Sequence, residues 1–145
     1  MKLIYRYIIG SLTLIILTFS GAQAKVLIHC GPSKGQAYFF NHPTWNPNPS
    51  GWADDGISNG RIILTSENEE WDILFSDSFN STGYRSDGAD VILLSSDENF
   101  IRIGAFADLY TDIYNFNLKE KTVVWSSNKS GPFAGKVAVY FSDCN

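Results

Sequence analysis

The chain has 145 residues, 44% of them apolar and 14% aromatic, with 15 acidic against 11 basic side chains. That acidic balance, with no gathering of Lys and Arg, argues against nucleic acid or an anionic surface as a partner, because phosphate is held by clustered cations. The two histidines, His29 and His42, and the two cysteines show no C-x-x-C or H-x-x-x-H spacing, so neither a metal site nor a cofactor is expected.

Residues Met1 to Ala24 read as an export signal. Lys2 and Arg6 supply a positive start, Tyr7 to Phe19 an uncharged apolar run, and Ser20-Gly21-Ala22-Gln23-Ala24 a small-residue cleavage site. The run is short of the roughly 20 residues that span a bilayer, and no later segment is long and apolar enough, so no membrane span is expected after cleavage. A lipid-anchored product would need a cysteine at the cleavage point, whereas Cys30 follows Leu27-Ile28-His29. The expected product runs from Lys25 to Asn145 as a single β-domain, with nine basic against fifteen acidic residues and a charge of −6. Its expected location is the periplasm or the outside of the cell.

Cys30 and Cys144 lie near the two ends of that domain. Two thiols carried into an oxidising compartment are expected to form one structural disulfide.

Between them, short apolar runs are separated by turn residues, and no stretch keeps a 3.6-residue period. Nine strands are predicted: 26–30, 36–40, 61–66, 71–76, 90–95, 100–107, 113–118, 122–127 and 136–142. Breakers fall at Gly31-Pro32-Ser33-Lys34-Gly35, Asp55-Gly56, Asn59-Gly60, Asp87-Gly88 and Ser130-Gly131-Pro132. Ile101, Ile103, Ala105 and Ala107 share one face, opposite Arg102 and Gly104. Val137, Val139 and Phe141 oppose Lys136, Ala138 and Tyr140. Placing Val139 and Phe141 inward gives Cys144 the wrong parity for Cys30, so the last strand should break near Asp143 or the bridge should form at a rim. The predicted fold is all-β: one antiparallel domain of about nine short strands, barrel-like or, alternatively, a two-sheet sandwich.

The segment Asn41 to Asp55 is the one long stretch expected to be irregular. It holds Pro43, Pro47 and Pro49, which interrupt ladder pairing, and the tryptophans Trp45 and Trp52. Trp45, Trp52, Asn46 and Asn48 form the candidate binding surface, since exposed aromatics stack on sugars or anchor proteins. The competing reading folds the indoles back as a plug, with Trp52 the more core-like of the two. Trp71 and Trp125 fall within strands and are expected in the core.

No catalytic residues are assigned. Gly56-Ile57-Ser58-Asn59-Gly60 matches G-x-S-x-G, but a strand-like run follows it and no histidine comes after His42, so it reads as a turn. Asp54-Asp55 and the Glu67-Asn68-Glu69-Glu70 run could supply paired carboxylates for a small hydrolase, but nothing in the sequence sets them across a cleft. Asn80-Ser81-Thr82 and Asn128-Lys129-Ser130 match glycosylation sequons.

The pattern Cys30-Gly31-x-Ser33-x-Gly35-x-Ala37-Tyr38-Phe39-Phe40, then Gly51-Trp52-x-x-Asp55-x-Ile57-Ser58-x-Gly60, then Asp72-Ile73-Leu74-Phe75-x-Asp77, with a terminal cysteine, resembles an uncharacterised family of small exported proteobacterial β-proteins. The resemblance implies a bacterial source and no activity. The functional expectation is a non-enzymatic binding module for a protein or glycan, the alternatives being a barrel for a small apolar ligand and a carboxylate hydrolase.

Overall fold

Among the described residues, alternation and tight turns build ten strands: β1 (Lys25–Phe39), β2 (Gly51–Ile57), β3 (Arg61–Glu67), β4 (Glu70–Ser76), β5 (Ser81–Gly83), β6 (Asp90–Ser96), β7 (Phe100–Ala107), β8 (Tyr110–Asn117), β9 (Thr122–Lys129) and β10 (Lys136–Cys144). The computed structural model describes residues 25–44, 46–76, 81–131 and 135–145. The expected signal, Trp45, and Pro132 of the last expected breaker lie outside them.

All ten strands belong to one antiparallel sheet, ordered β5-β4-β3-β1-β10-β9-β8-β7-β6, with β2 also on β1. Two meanders, β3 to β5 and β6 to β10, are thus joined through β1 at the centre. The sheet curls into a half-barrel, so the barrel-like expectation holds and the sandwich does not. Its flanks are tied by Arg85, in the turn after β5, whose Nε donates to the Trp71 carbonyl at 2.7 Å and whose Nη2 donates to the Val91 carbonyl at 2.8 Å.

The expected break at Gly31 to Gly35 is absent. β1 runs straight through, and its register against β10 shifts between Cys30 and Ser33. Such a bulge accommodates Pro32, which has no N–H for a ladder. On its other edge β1 changes partner at the same point, from β3 (Lys25 to Cys30) to β2 (Ser33 to Phe39). Gly51 to Asp55, expected to be irregular, therefore form most of strand β2, and Asp55-Gly56 is an in-strand pair. The Glu67 to Glu70 run is a solvated two-residue hairpin, with Asn68 and Glu69 at φ 48° and 68°, the twist that matches flanking strands.

Cys30 and Cys144 are register partners and are joined by a disulfide. The parity conflict disappears because the inward face of β10 is Ala138, Tyr140 and Ser142, all buried, while Val137 and Val139 face solvent. Neither a break at Asp143 nor a bridge at the rim is needed. Apolar β-branched side chains lie outside here because the inner face is an aromatic and polar surface.

The core below it comprises Ile62, Leu64, Ile73, Ile101, Ile103, Phe116 and Val123, with Trp125 also buried. The shared inward face of Ile101, Ile103 and Ala105 is as the alternation predicts. Among the described residues no helix is long and apolar enough to cross a membrane.

Candidate functional site in the half-barrel

The β8–β9 hairpin stacks its inward residues in cross-strand pairs: Phe116 with Val123, Tyr114 with Trp125, Asp112 with Ser127, and Tyr110 with Lys129. Exposure rises along that series, from a dry apolar floor to a charged mouth. Phe116 and Val123 are fully buried, Asp112 and Ser127 are each 2% exposed, and Lys129 is exposed. The register neighbours outside the Asp112–Ser127 pair are Ala105 on β7 and Ala138 on β10, both buried. Their short side chains leave that layer thinly filled. Above it lies a cavity of about 370 Å3, bounded by the upper pairs of the hairpin and by Asp55, Tyr84, Asp87, Lys136 and Tyr140.

Its aromatic wall is continuous. Tyr114 stacks on Phe116 and on Trp125 with ring centroids 6.0 and 5.4 Å apart, and Trp125 lies 4.9 Å from Tyr140. Tyr84 meets Tyr110 and Tyr114 edge to face.

Tyr84 reaches across from the turn after β5, positioned by its N–H on the Ile73 carbonyl and its own carbonyl on Ala89 N–H. Its hydroxyl donates to Asp112 Oδ2 at 2.5 Å. A tyrosine has one hydroxyl proton, so the 2.6 Å contact between Tyr114 and Tyr84 has Tyr114 as donor. The relay Tyr114 to Tyr84 to Asp112 therefore ends on a carboxylate. Burial, foremost, and then the surrounding phenol and carboxylate groups hold the Tyr84 hydroxyl far above its usual range. Tyr114 is held up by burial and by the charge of Asp112.

Two buried polar atoms here have no hydrogen-bond partner, Asp112 Oδ1 and Ser127 Oγ. Both residues line the cavity, and they do not satisfy each other.

At the mouth, Lys136 pairs with Asp55 Oδ2, which also accepts from the Tyr140 hydroxyl at 2.6 Å. Burial alone would raise the Asp55 pKa, but Lys136, Tyr140 and the Gly56 N–H together lower it. The Tyr140 ring reaches Asp55 by crossing Gly35, the register partner of both residues. A Cβ on Gly35 would lie 2.1 Å from the Val139 carbonyl oxygen and 2.8 Å from Tyr140 Cδ1. Tyr110 is pushed up to about 12 by burial and by Asp87, to which its hydroxyl donates at 3.4 Å. Among the described residues no three His, Cys, Asp or Glu side chains gather as a metal site requires.

The surface proposed from sequence lies elsewhere. Trp52 is not a plug: it is 67% exposed on β2 and packs edge to face on Tyr38. Asn46 exchanges backbone hydrogen bonds with His42 and donates its side-chain amide to the Phe40 carbonyl, while the Asn48 carbonyl accepts from Asn41. These asparagines therefore shape their own loop. Of the candidate carboxylates, Asp55 lines the cavity, but Glu67 to Glu70 sit in the β3–β4 hairpin.

The alternation Tyr110-x-Asp112-x-Tyr114-x-Phe116, answered by Lys129-x-Ser127-x-Trp125-x-Val123, is the sequence signal for the cavity. Starting the strand at Ile113 hides it. No family model, no curated protein and no solved structure matches the chain, so the site is read from its own chemistry.

Proposed function

We propose that the protein is an exported binding protein that holds one small polar molecule in the half-barrel cavity and does no chemistry on it. The observation that carries this reading is the two unpartnered buried atoms on cross-strand partners, Asp112 Oδ1 and Ser127 Oγ. Such atoms are rare in native proteins, and a ligand would supply the missing partners. The volume lies at the small end of the range for small-molecule sites. Aromatic walls with a few converging polar groups favour a polar ligand over the apolar one considered from sequence. The raised pKa values of the cavity tyrosines support binding over catalysis, because they move those hydroxyls away from proton transfer near neutral pH. The disulfide fits an oxidising compartment, and the signal-like residues Met1 to Ala24 favour the periplasm or the exterior.

Native mass spectrometry of protein taken from the periplasm or medium tests this. The expected species begins at Lys25, contains the disulfide and carries one small molecule that is lost on denaturation. Ser127→Leu, which fills the cavity, should be folded and bare. A bare wild type, or a Ser127→Leu protein with the same cargo, would contradict the proposal.

The row Phe40, Tyr38 and Trp52, exposed at its two ends and half-buried at Tyr38, with successive edge-to-face contacts at centroids 5.5 Å apart, favours a second reading, a stacking surface for a glycan. Trp52→Ala should then abolish retention on immobilised glycan without changing the melt, and unchanged retention would remove this reading.

A further inference from the structure

We infer that the molecule held in the cavity is a protonated primary amine, with its ammonium group at Asp112 Oδ1 and Ser127 Oγ. This rests on the cavity reading above and goes beyond it by fixing the ligand's charge and its hydrogen-bonding sense.

The proton inventory sets the sense. Tyr84 gives its hydroxyl proton to Asp112 Oδ2, and Tyr114 gives its own to Tyr84. Neither has a proton left for a ligand. An ionised Asp112 can only accept, so the deepest polar layer offers lone pairs at Oδ1, with one hydroxyl beside them at Ser127. The matching ligand group is a donor with several N–H bonds. A quaternary ammonium has none and would leave both atoms as they are.

The charge inventory sets the sign. Three carboxylates, Asp55, Asp87 and Asp112, face two ammonium groups, Lys129 and Lys136, around the cavity. Lys136 is taken by Asp55. Lys129 stands one layer nearer the mouth, opposite Tyr110, and leaves Asp112 Oδ1 without a partner. The remaining balance is negative, and its buried member is Asp112. A buried carboxylate is strongly disfavoured without a countercharge, which a bound ammonium would provide. Tyr84 and Tyr110 also line the cavity, and aromatic rings beside an ammonium would add cation–π attraction.

Titration calorimetry at neutral pH on the oxidised protein would decide the matter. The probes are butylamine, 1,4-diaminobutane and 2-phenylethylamine, each against its alcohol, with tetramethylammonium as the cation lacking N–H. At least one amine should bind more tightly than its alcohol by about tenfold or more, roughly 1.4 kcal/mol, and tetramethylammonium should bind weakly. Asp112→Asn, close in shape and still able to accept from Tyr84, should lose that preference while keeping the far-ultraviolet spectrum of the wild type. Ser127→Ala should weaken the amine several-fold and provides the check if Asp112→Asn does not fold. Alcohols binding as well as amines would overturn the amine inference and leave the cavity reading standing. Amine binding unchanged in both variants would also overturn it. If no probe binds, the amine inference falls, and the native mass spectrum decides the cavity reading separately.

Discussion

Asp112 makes one hydrogen bond where a buried carboxylate has acceptor sites for several, and its second oxygen has no partner. A residue kept for stability would not be left so, because an unsatisfied buried polar group costs about 1 to 3 kcal/mol, more when charged. Asp112→Asn is therefore expected to raise the melting temperature of the ligand-free protein by a few degrees, read by calorimetry. A lower melting temperature would make Asp112 a structural residue. Gly35 has the opposite character. Its missing Cβ lets the Tyr140 ring cross β1 to Asp55, and a methyl group there meets backbone that cannot yield. Gly35→Ala should cost about 1 to 3 kcal/mol, the scale of overpacking, with loss of the Asp55–Tyr140 contact visible in side-chain NMR spectra.

β1 is the element on which the fold depends, since it carries β3 and β2 on one edge and β10 on the other. The disulfide between β1 and β10 closes 114 residues of sequence, worth about 4 to 5 kcal/mol in the chain-entropy model. Cys144→Ser should lower unfolding stability by an amount approaching that, measured by urea titration. Arg85 ties the two far flanks of the sheet by hydrogen bonds to Trp71 and Val91 carbonyls. Being exposed, it should contribute only about 1 kcal/mol. Arg85→Ala should speed amide exchange along β4 and β6 while leaving β1 and β10 protected; equal exchange everywhere would deny it that role. The strands β3, β4 and β7 could be read from alternation because their apolar residues face inward. The orientation of β10 and the start of β8 escape the alternation for one physical reason: a polar cavity puts Tyr, Asp and Ser inside and leaves Val137 and Val139 outside, reversing the usual pattern. Pro32 and the glycines around it looked like a turn because a bulge within a long strand uses the same residues.

At the scale of the whole molecule, the half-barrel shelters four tyrosines in a partly dry interior: Tyr84, Tyr110 and Tyr140 donate their hydroxyls to carboxylates, and Tyr114 donates to Tyr84. For Tyr140, burial and then its hydrogen bond to Asp55 raise the pKa far above 10.0, and the other three are raised as well. In the unfolded chain these phenols would ionise near their ordinary value of 10.0, whereas in the folded protein they stay protonated. Between those limits the unfolded state binds fewer protons, so the stability these groups contribute is fully present below pH 10 and falls as the pH rises beyond it. Phenolate absorbance and near-ultraviolet circular dichroism, followed together in an alkaline titration, should change in one cooperative step above pH 10, as unfolding releases the tyrosines. Tyr84→Phe removes the phenol whose proton occupies Asp112, so in that variant the step should involve one phenolate fewer. Gradual ionisation of all four groups around pH 10, with the dichroism unchanged, would mean that the interior is open to water and the tyrosine cluster does not hold the half-barrel together.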